Sequence, residues 1–189
     1  MSRPLPPLEY QERAVSVSAS VWSPQHRWLT LGLILLTLGP AFEGLAVATI
    51  LPKIVANLGG LDLYGWAFSA YMLATLVGLT LAGSEADRRG PALPCVGGVT
   101  LFVLGLALAG TSSSMITFVL SRTVQGFGAG LLSSVALVCV GRGYPETVKP
   151  RMLAVLSSAW VVPGLVGPAL AGIVADLVGW RWVFLGLIP

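Results

Sequence analysis

The chain has 189 residues, of which 55% are hydrophobic and only 10% charged, with a formal net charge of +3. Soluble domains carry about 25% charged residues, so this composition excludes an ordinary globular enzyme or binding module and points to an integral membrane protein. The basic excess is gathered on no helix and in no soluble domain, which argues against nucleic acid as a partner.

In chain order, residues 1–27 come first, with Pro4, Pro6, Pro7 and several Ser. This composition predicts a short disordered cytoplasmic tail. His26, the only histidine, stands beside Arg27 and Trp28 and reads as an interfacial anchor rather than a proton relay. Apolar runs of about 18 residues or more then predict membrane helices over Trp28–Leu51, Tyr64–Gly83, Leu93–Gly110, Met115–Val140 and Met152–Ala175. A sixth run starts at Trp182. From there to Pro189 it covers only about 12 Å, at about 1.5 Å per residue, of a hydrocarbon layer about 30 Å thick. The expectation is therefore an all-α bundle, residues 28–189, with five complete transmembrane helices and the start of a sixth in which the chain is cut off. Barrel strands would alternate in polarity, and these runs do not. The first run exceeds the h-region of a signal peptide, and further spans follow it.

Lys and Arg set the expected orientation. Arg3, Arg13, Arg27, Arg88, Arg89, Arg142, Lys149 and Arg151 fall on one side of the predicted bundle, whereas Lys53 and Arg181 fall on the other. Basic residues accumulate on the cytoplasmic side, so the N-terminus is placed in the cytoplasm and the chain in the cell membrane as a multi-pass protein.

Within this apolar chain two charges stand out. Glu43 is the only acid in the first span and Arg122 the only base in the fourth. Each lies roughly 10 to 14 Å below the outer end of its helix, at about 1.5 Å per residue, so the two are at matching depth. Isolated ionisable groups at that depth cost several kcal/mol unless they meet a partner or water. Two readings stay open for Arg122: an ion pair that locks two helices, or part of a working polar site. For Glu43 function is favoured, because a carboxyl in a low-dielectric cavity is suited to taking up and releasing protons. Gln125 shares the Arg122 face at i+3, and Tyr71 and Trp160 are candidates to line the same substrate cavity with rings suited to flat or cationic molecules.

Small residues supply the other theme. Gly126, Gly128 and Gly130 in the fourth span, and Gly164, Gly167 and Gly172 in the fifth, predict close helix crossings. Pro163 and Pro168 free backbone carbonyls and predict a kinked, deformable helix. Cys95 and Cys139 make no metal-ligand spacing and read as small apolar residues, so no metal or cofactor is expected. There is no Ser/His/Asp set that the one histidine could complete, no pair of metal ligands and no phosphate-binding glycine loop, so the chain is not read as an enzyme.

Taken together, several stretches resemble the major facilitator superfamily, and in particular its drug:proton antiporter branch. Glu43 through the Leu51-Pro52 pair resembles the first-helix motif, with Glu where Asp is usual. Gly83-Ser-Glu-Ala-Asp87-Arg88-Arg89-Gly90 is similar to the cytoplasmic loop between helices two and three. Arg122-Thr-Val-Gln125-Gly126 is similar to the fourth-helix motif. Pro163, Gly164, Gly167, Pro168 and Gly172 fall on the antiporter motif of helix five, and Trp180 to Phe184 resembles the stretch leading into helix six. The resemblance implies that Asp87 and Arg88, with Gly83 and Gly90, form a gating loop and charge cluster between two halves of a transporter. It also implies that Glu43 and Arg122 belong to the proton-coupling and substrate region, and that the helix-five residues favour export.

The resulting expectation is the N-terminal part of a proton-coupled exporter of small lipophilic or drug-like molecules, working by alternating access. Its partners would be the substrate, protons, the lipid bilayer and a missing C-terminal half. Two alternatives stand beside it: a solute importer of the same fold, and a truncated fragment that transports nothing.

Overall fold

The computed structural model describes residues 20–188. The predicted tail therefore lies outside the described residues up to position 19, while residues 20–26 form turns that pack on the bundle. Six α-helices follow: α1 (Arg27–Leu58), α2 (Tyr64–Arg89), α3 (Ala92–Gly110), α4 (Met115–Gly143), α5 (Lys149–Leu177) and the short α6 (Arg181–Leu185), with a 3-10 turn over Leu61–Leu63 before α2. There is no strand among the described residues, and α1 to α5 are each long and apolar enough to cross a membrane. The protein is thus an all-α membrane protein with five spans, and successive helices run up and down between a basic end (Arg27, Arg89, Arg142, Lys149) and an opposite end (Leu58, Gly110, Arg181).

Two helices outrun their apolar segments. α1 continues past Pro52 to Leu58, because the proline removes one internal hydrogen bond while Ile54, a turn beyond it, is fully buried in the core. α2 runs six residues beyond Gly83, since Ala82 and Ala86 extend a buried stripe that begins at Ala67 and recurs as Ala74 and Gly78. The expected loop motif is consequently helical: Gly83, Asp87 and Arg88 lie on the last turns of α2. Only Gly90 and Pro91 connect it to α3, and Gly90, at φ 88°, takes the left-handed conformation that ends the helix. At the start of α4 the Ser114 hydroxyl accepts the Thr117 amide at 3.2 Å, while Thr117 Oγ1 accepts the Ser114 amide at 3.2 Å. That reciprocal cap fixes where α4 begins.

Packing explains the glycines. α4 is sandwiched between α2 and α3. Residues four apart return to one face of a helix, and a residue two along points the other way. Gly126 and Gly130 accordingly meet the backbone carbonyls of Tyr71 and Thr75 on α2, and Gly128 meets Phe102 and Gly98 on α3. A methyl group at any of the three would overlap that backbone. The Thr75 hydroxyl also donates to the Gly126 carbonyl at 3.0 Å. α1 packs mainly on α5, whose buried residues Met152, Leu156, Ala159, Pro163, Gly167 and Ala171 form one stripe.

The two ends are closed differently. At the basic end Thr30, fully buried, donates to the Val21 carbonyl at 2.6 Å and meets the Tyr144 hydroxyl at 2.8 Å. His26 stacks on the Tyr144 ring with centroids 5.1 Å apart. His26 thus anchors the start of α1 to the end of α4. At the opposite end Phe118, Trp180 and Phe184 pack edge to face, with centroids 5.6 to 6.1 Å apart, and Lys53 pairs with Asp176 at 2.6 Å.

Candidate functional site

Arg122 lies two turns into α4 and is 1% exposed, and Glu43, midway along α1, is 1% exposed. Neither helix offers a counter-charge near the site, since Arg27 and Lys53 lie far along α1 and the other charge of α4, Arg142, is also basic. The fold supplies one across the α1/α4 contact, where Arg122 Nη1 donates to Glu43 Oε1 in a fully buried ion pair. The same Nη1 donates to Gln125 Oε1 at 2.7 Å, and Nε donates to the Ala67 carbonyl of α2 at 3.3 Å. The guanidinium carbon sits 4.1 Å from the centre of the Tyr71 ring. A planar guanidinium is well matched to this setting, because its fixed fork of donors serves several acceptors while its face lies on an aromatic ring.

The position of Tyr71 depends on Gly126. With no side chain there, α2 comes close enough to α4 for the Tyr71 ring to cover Arg122. Glu43 Oε2 and Gln125 Nε2 are buried without a hydrogen-bond partner among the described residues. Buried polar atoms of this kind carry a desolvation cost and mark a site whose network is open to rearrangement.

Glu43, Arg122, Gln125 and Tyr71 therefore come together as expected from their depth and spacing. Trp160 does not join them. It is half exposed and lines a separate cavity of about 220 Å³ between α1, α4 and α5. The reason is helical phase: Trp160 follows Ala159 of the buried α5 stripe and so points about 100° away from it. On α5, Gly167 faces the Phe42 ring of α1 and Gly164 faces Leu45, while Pro163 is buried and Pro168 half-buried; a side chain at Gly172 would meet open space. Gly164 and Gly167 serve the α1/α5 crossing.

The basic end carries a second charged group. Arg142, at the end of α4, donates to the Ala86 carbonyl at 3.2 Å and pairs with Asp87 at 2.9 Å. A cation here joins the Gly90 amide on the Ala86 carbonyl in the last turn of α2 and complements the helix dipole. Glu85 pairs with Arg89 at 3.1 Å, and Arg88 makes no ion pair among the described residues. Sequence reasoning missed two partners, Arg142 for Asp87 and Tyr144 for Thr30. For the first, the signal was a lone Arg in the last turn of a helix neighbouring an Asp-bearing one.

The profile of the Major Facilitator Superfamily matches residues 20–189. The chain is 30% identical over 161 residues to the multidrug transporter protein MdtP of Bacillus subtilis, covering 85% of this chain and 30% of that protein. It is 26% identical over 159 residues to the multidrug efflux pump SdrM of Staphylococcus aureus, covering 84% of this chain and 36% of that protein. The chain thus spans about a third of the length of these curated relatives. Among solved structures, the xylose transporter XylE from E. coli, in an inward open conformation, superposes with a TM-score of 0.70 at 16% identity, covering 85% of this chain and 44% of the other, a likeness of fold. By the profile match over nearly its whole length and by its helical fold, the chain belongs to the Major Facilitator Superfamily.

Proposed function

We propose that this bundle is the N-terminal part of a proton-coupled exporter of small, lipophilic, drug-like molecules, and that Glu43 carries the coupling proton. The observation that carries the reading is the buried Glu43–Arg122 pair. The other contacts of Arg122, to Ala67, Tyr71 and Gln125, all lie on α2 and α4. Among the described residues, Glu43–Arg122 is the one ion pair between those helices and α1 with its partner α5. Protonation of the carboxyl removes its attraction to the guanidinium, while Arg122 keeps its remaining contacts. The α1/α5 pair is then freed to shift as a unit against α2, α3 and α4, with Gly164 and Gly167 holding its two helices close. Proton uptake from outside and release inwards would drive the substrate out, with the basic end facing the cytoplasm and the bundle in the cell membrane.

In this reading a second helical bundle completes the cavity, and the Asp87–Arg142 pair with Arg88 forms a charge cluster at the junction of the two. The multidrug names of MdtP and SdrM support export over import. In the full-length protein Glu43→Gln should abolish proton-dependent efflux while membrane insertion is retained. Efflux with an unchanged dependence on external pH would refute the coupling role.

A further inference from the structure

The cavity that holds Trp160 opens on the basic-end side of the ion pair, between Thr37 and Pro40 of α1, Ser133 of α4, and Leu156 and Ser157 of α5. No charged side chain lines it. Glu43 lies only about one turn from Pro40, yet its carboxylate is buried and turned to Arg122, so it offers no counter-charge to a guest here. Two of its three hydroxyls also have a defined polarity. Thr37 donates its hydrogen to the Leu33 carbonyl at 2.8 Å and Ser133 donates its own to the Ala129 carbonyl at 2.9 Å. A hydroxyl has one hydrogen and two lone pairs, so both present only acceptors to the cavity. Beside them stand the half-exposed indole of Trp160 and the Ser157 hydroxyl, and the rest of the wall is apolar.

We infer that this cavity is a subsite for an uncharged aromatic group carrying an N–H or O–H donor, such as a phenol, indole or anilide. A flat ring stacks on Trp160, and its donor is received by Thr37 and Ser133. A cavity of about 220 Å³ lies below the roughly 300 to 1,000 Å³ of a site for a whole drug-sized ligand, so it takes one ring system of a larger substrate. A quaternary ammonium finds no carboxylate here, and the indole face of Trp160 alone offsets only part of the hydration it must shed. This assignment rests on the exporter reading, whose substrates it narrows.

The test uses purified full-length protein without a proton gradient and three probes on one aromatic scaffold: the phenol, its methyl ether and a trimethylammonium analogue. Quenching of tryptophan fluorescence reports binding, with Trp160→Phe to identify the responding ring. The phenol should bind about tenfold more tightly than the ether, in line with one or two net hydrogen bonds. That preference should vanish in a Thr37→Val, Ser133→Ala double variant that still binds the ether like the wild type. Equal affinity for phenol and ether in the wild type, or tighter binding of the ammonium probe, would overturn the subsite. Gradient-driven efflux is read in a separate assay, so loss of coupling with the phenol preference intact would count against the exporter reading and leave the subsite standing.

Discussion

Arg122 meets four different chemical groups with one guanidinium, and each meeting depends on a different helix position. Breaking a buried pair from one side leaves the other charge uncompensated, which costs about 3 to 5 kcal/mol, whereas apolar replacement of both partners is often neutral. Arg122→Ala should therefore lower thermal stability of the purified full-length protein strongly. Glu43→Leu combined with Arg122→Met should recover most of that stability without recovering transport. Stability measured by scanning fluorimetry in detergent separates these outcomes, and a mild effect of Arg122→Ala would deny that the pair is buried. Much of this site was legible beforehand. Two lone opposite charges at matching depth could be expected to meet, and Gln125 shares the Arg122 face by i+3 spacing, whereas Tyr71 was no more than an aromatic candidate for the same space. Trp160 was not placed correctly, because hydropathy says that α5 spans the membrane but not how it is turned. Beyond Met152 and Leu156, the buried stripe that fixes its phase is made of Ala, Gly and Pro, residues that give no amphipathic signal.

The helices owe their closeness to glycine, and the glycines are not equivalent. Gly126 and Gly130 meet α2 backbone, whereas a methyl at Gly97 or Gly141 would meet nothing within 4 Å. Gly126→Ala and Gly130→Ala should each push α2 away from α4, a clash of the kind that typically costs about 1 to 3 kcal/mol. Gly126→Ala should also disturb Tyr71 over Arg122. Gly97→Ala and Gly141→Ala should be neutral or gain about 0.5 to 1 kcal/mol, since alanine is the better helix former. Monodispersity and melting temperature of the four variants check this, and similar behaviour of all four would contradict the packing described. The presence of all five spans was readable from apolar run length, but their ends were not. Hydropathy stops where charged residues begin, while the helical hydrogen bonding of α1 and α2 continues as long as Ile54, Ala82 and Ala86 find a core to enter.

For the molecule as a whole, the two charged centres differ in kind. Asp87 and Arg142 keep side-chain exposures of 73% and 50%, so their pair contributes within about 1 kcal/mol to the stability of the bundle. If it belongs to a junction with a second bundle, Asp87→Asn should slow transport while the melting temperature changes little. A loss of stability comparable to that of Arg122→Ala would mean that the pair serves the fold instead. The buried pair is the opposite case: breaking it from one side costs stability, and the proposed function gives it the coupling role. Its role is tested most directly by counting protons: purified full-length protein, in weakly buffered solution with a pH indicator, is mixed with a transported substrate at saturating concentration. The account predicts that the wild type exchanges about one proton per substrate bound and that Glu43→Gln binds substrate but exchanges none. Equal proton exchange by the two proteins would contradict it.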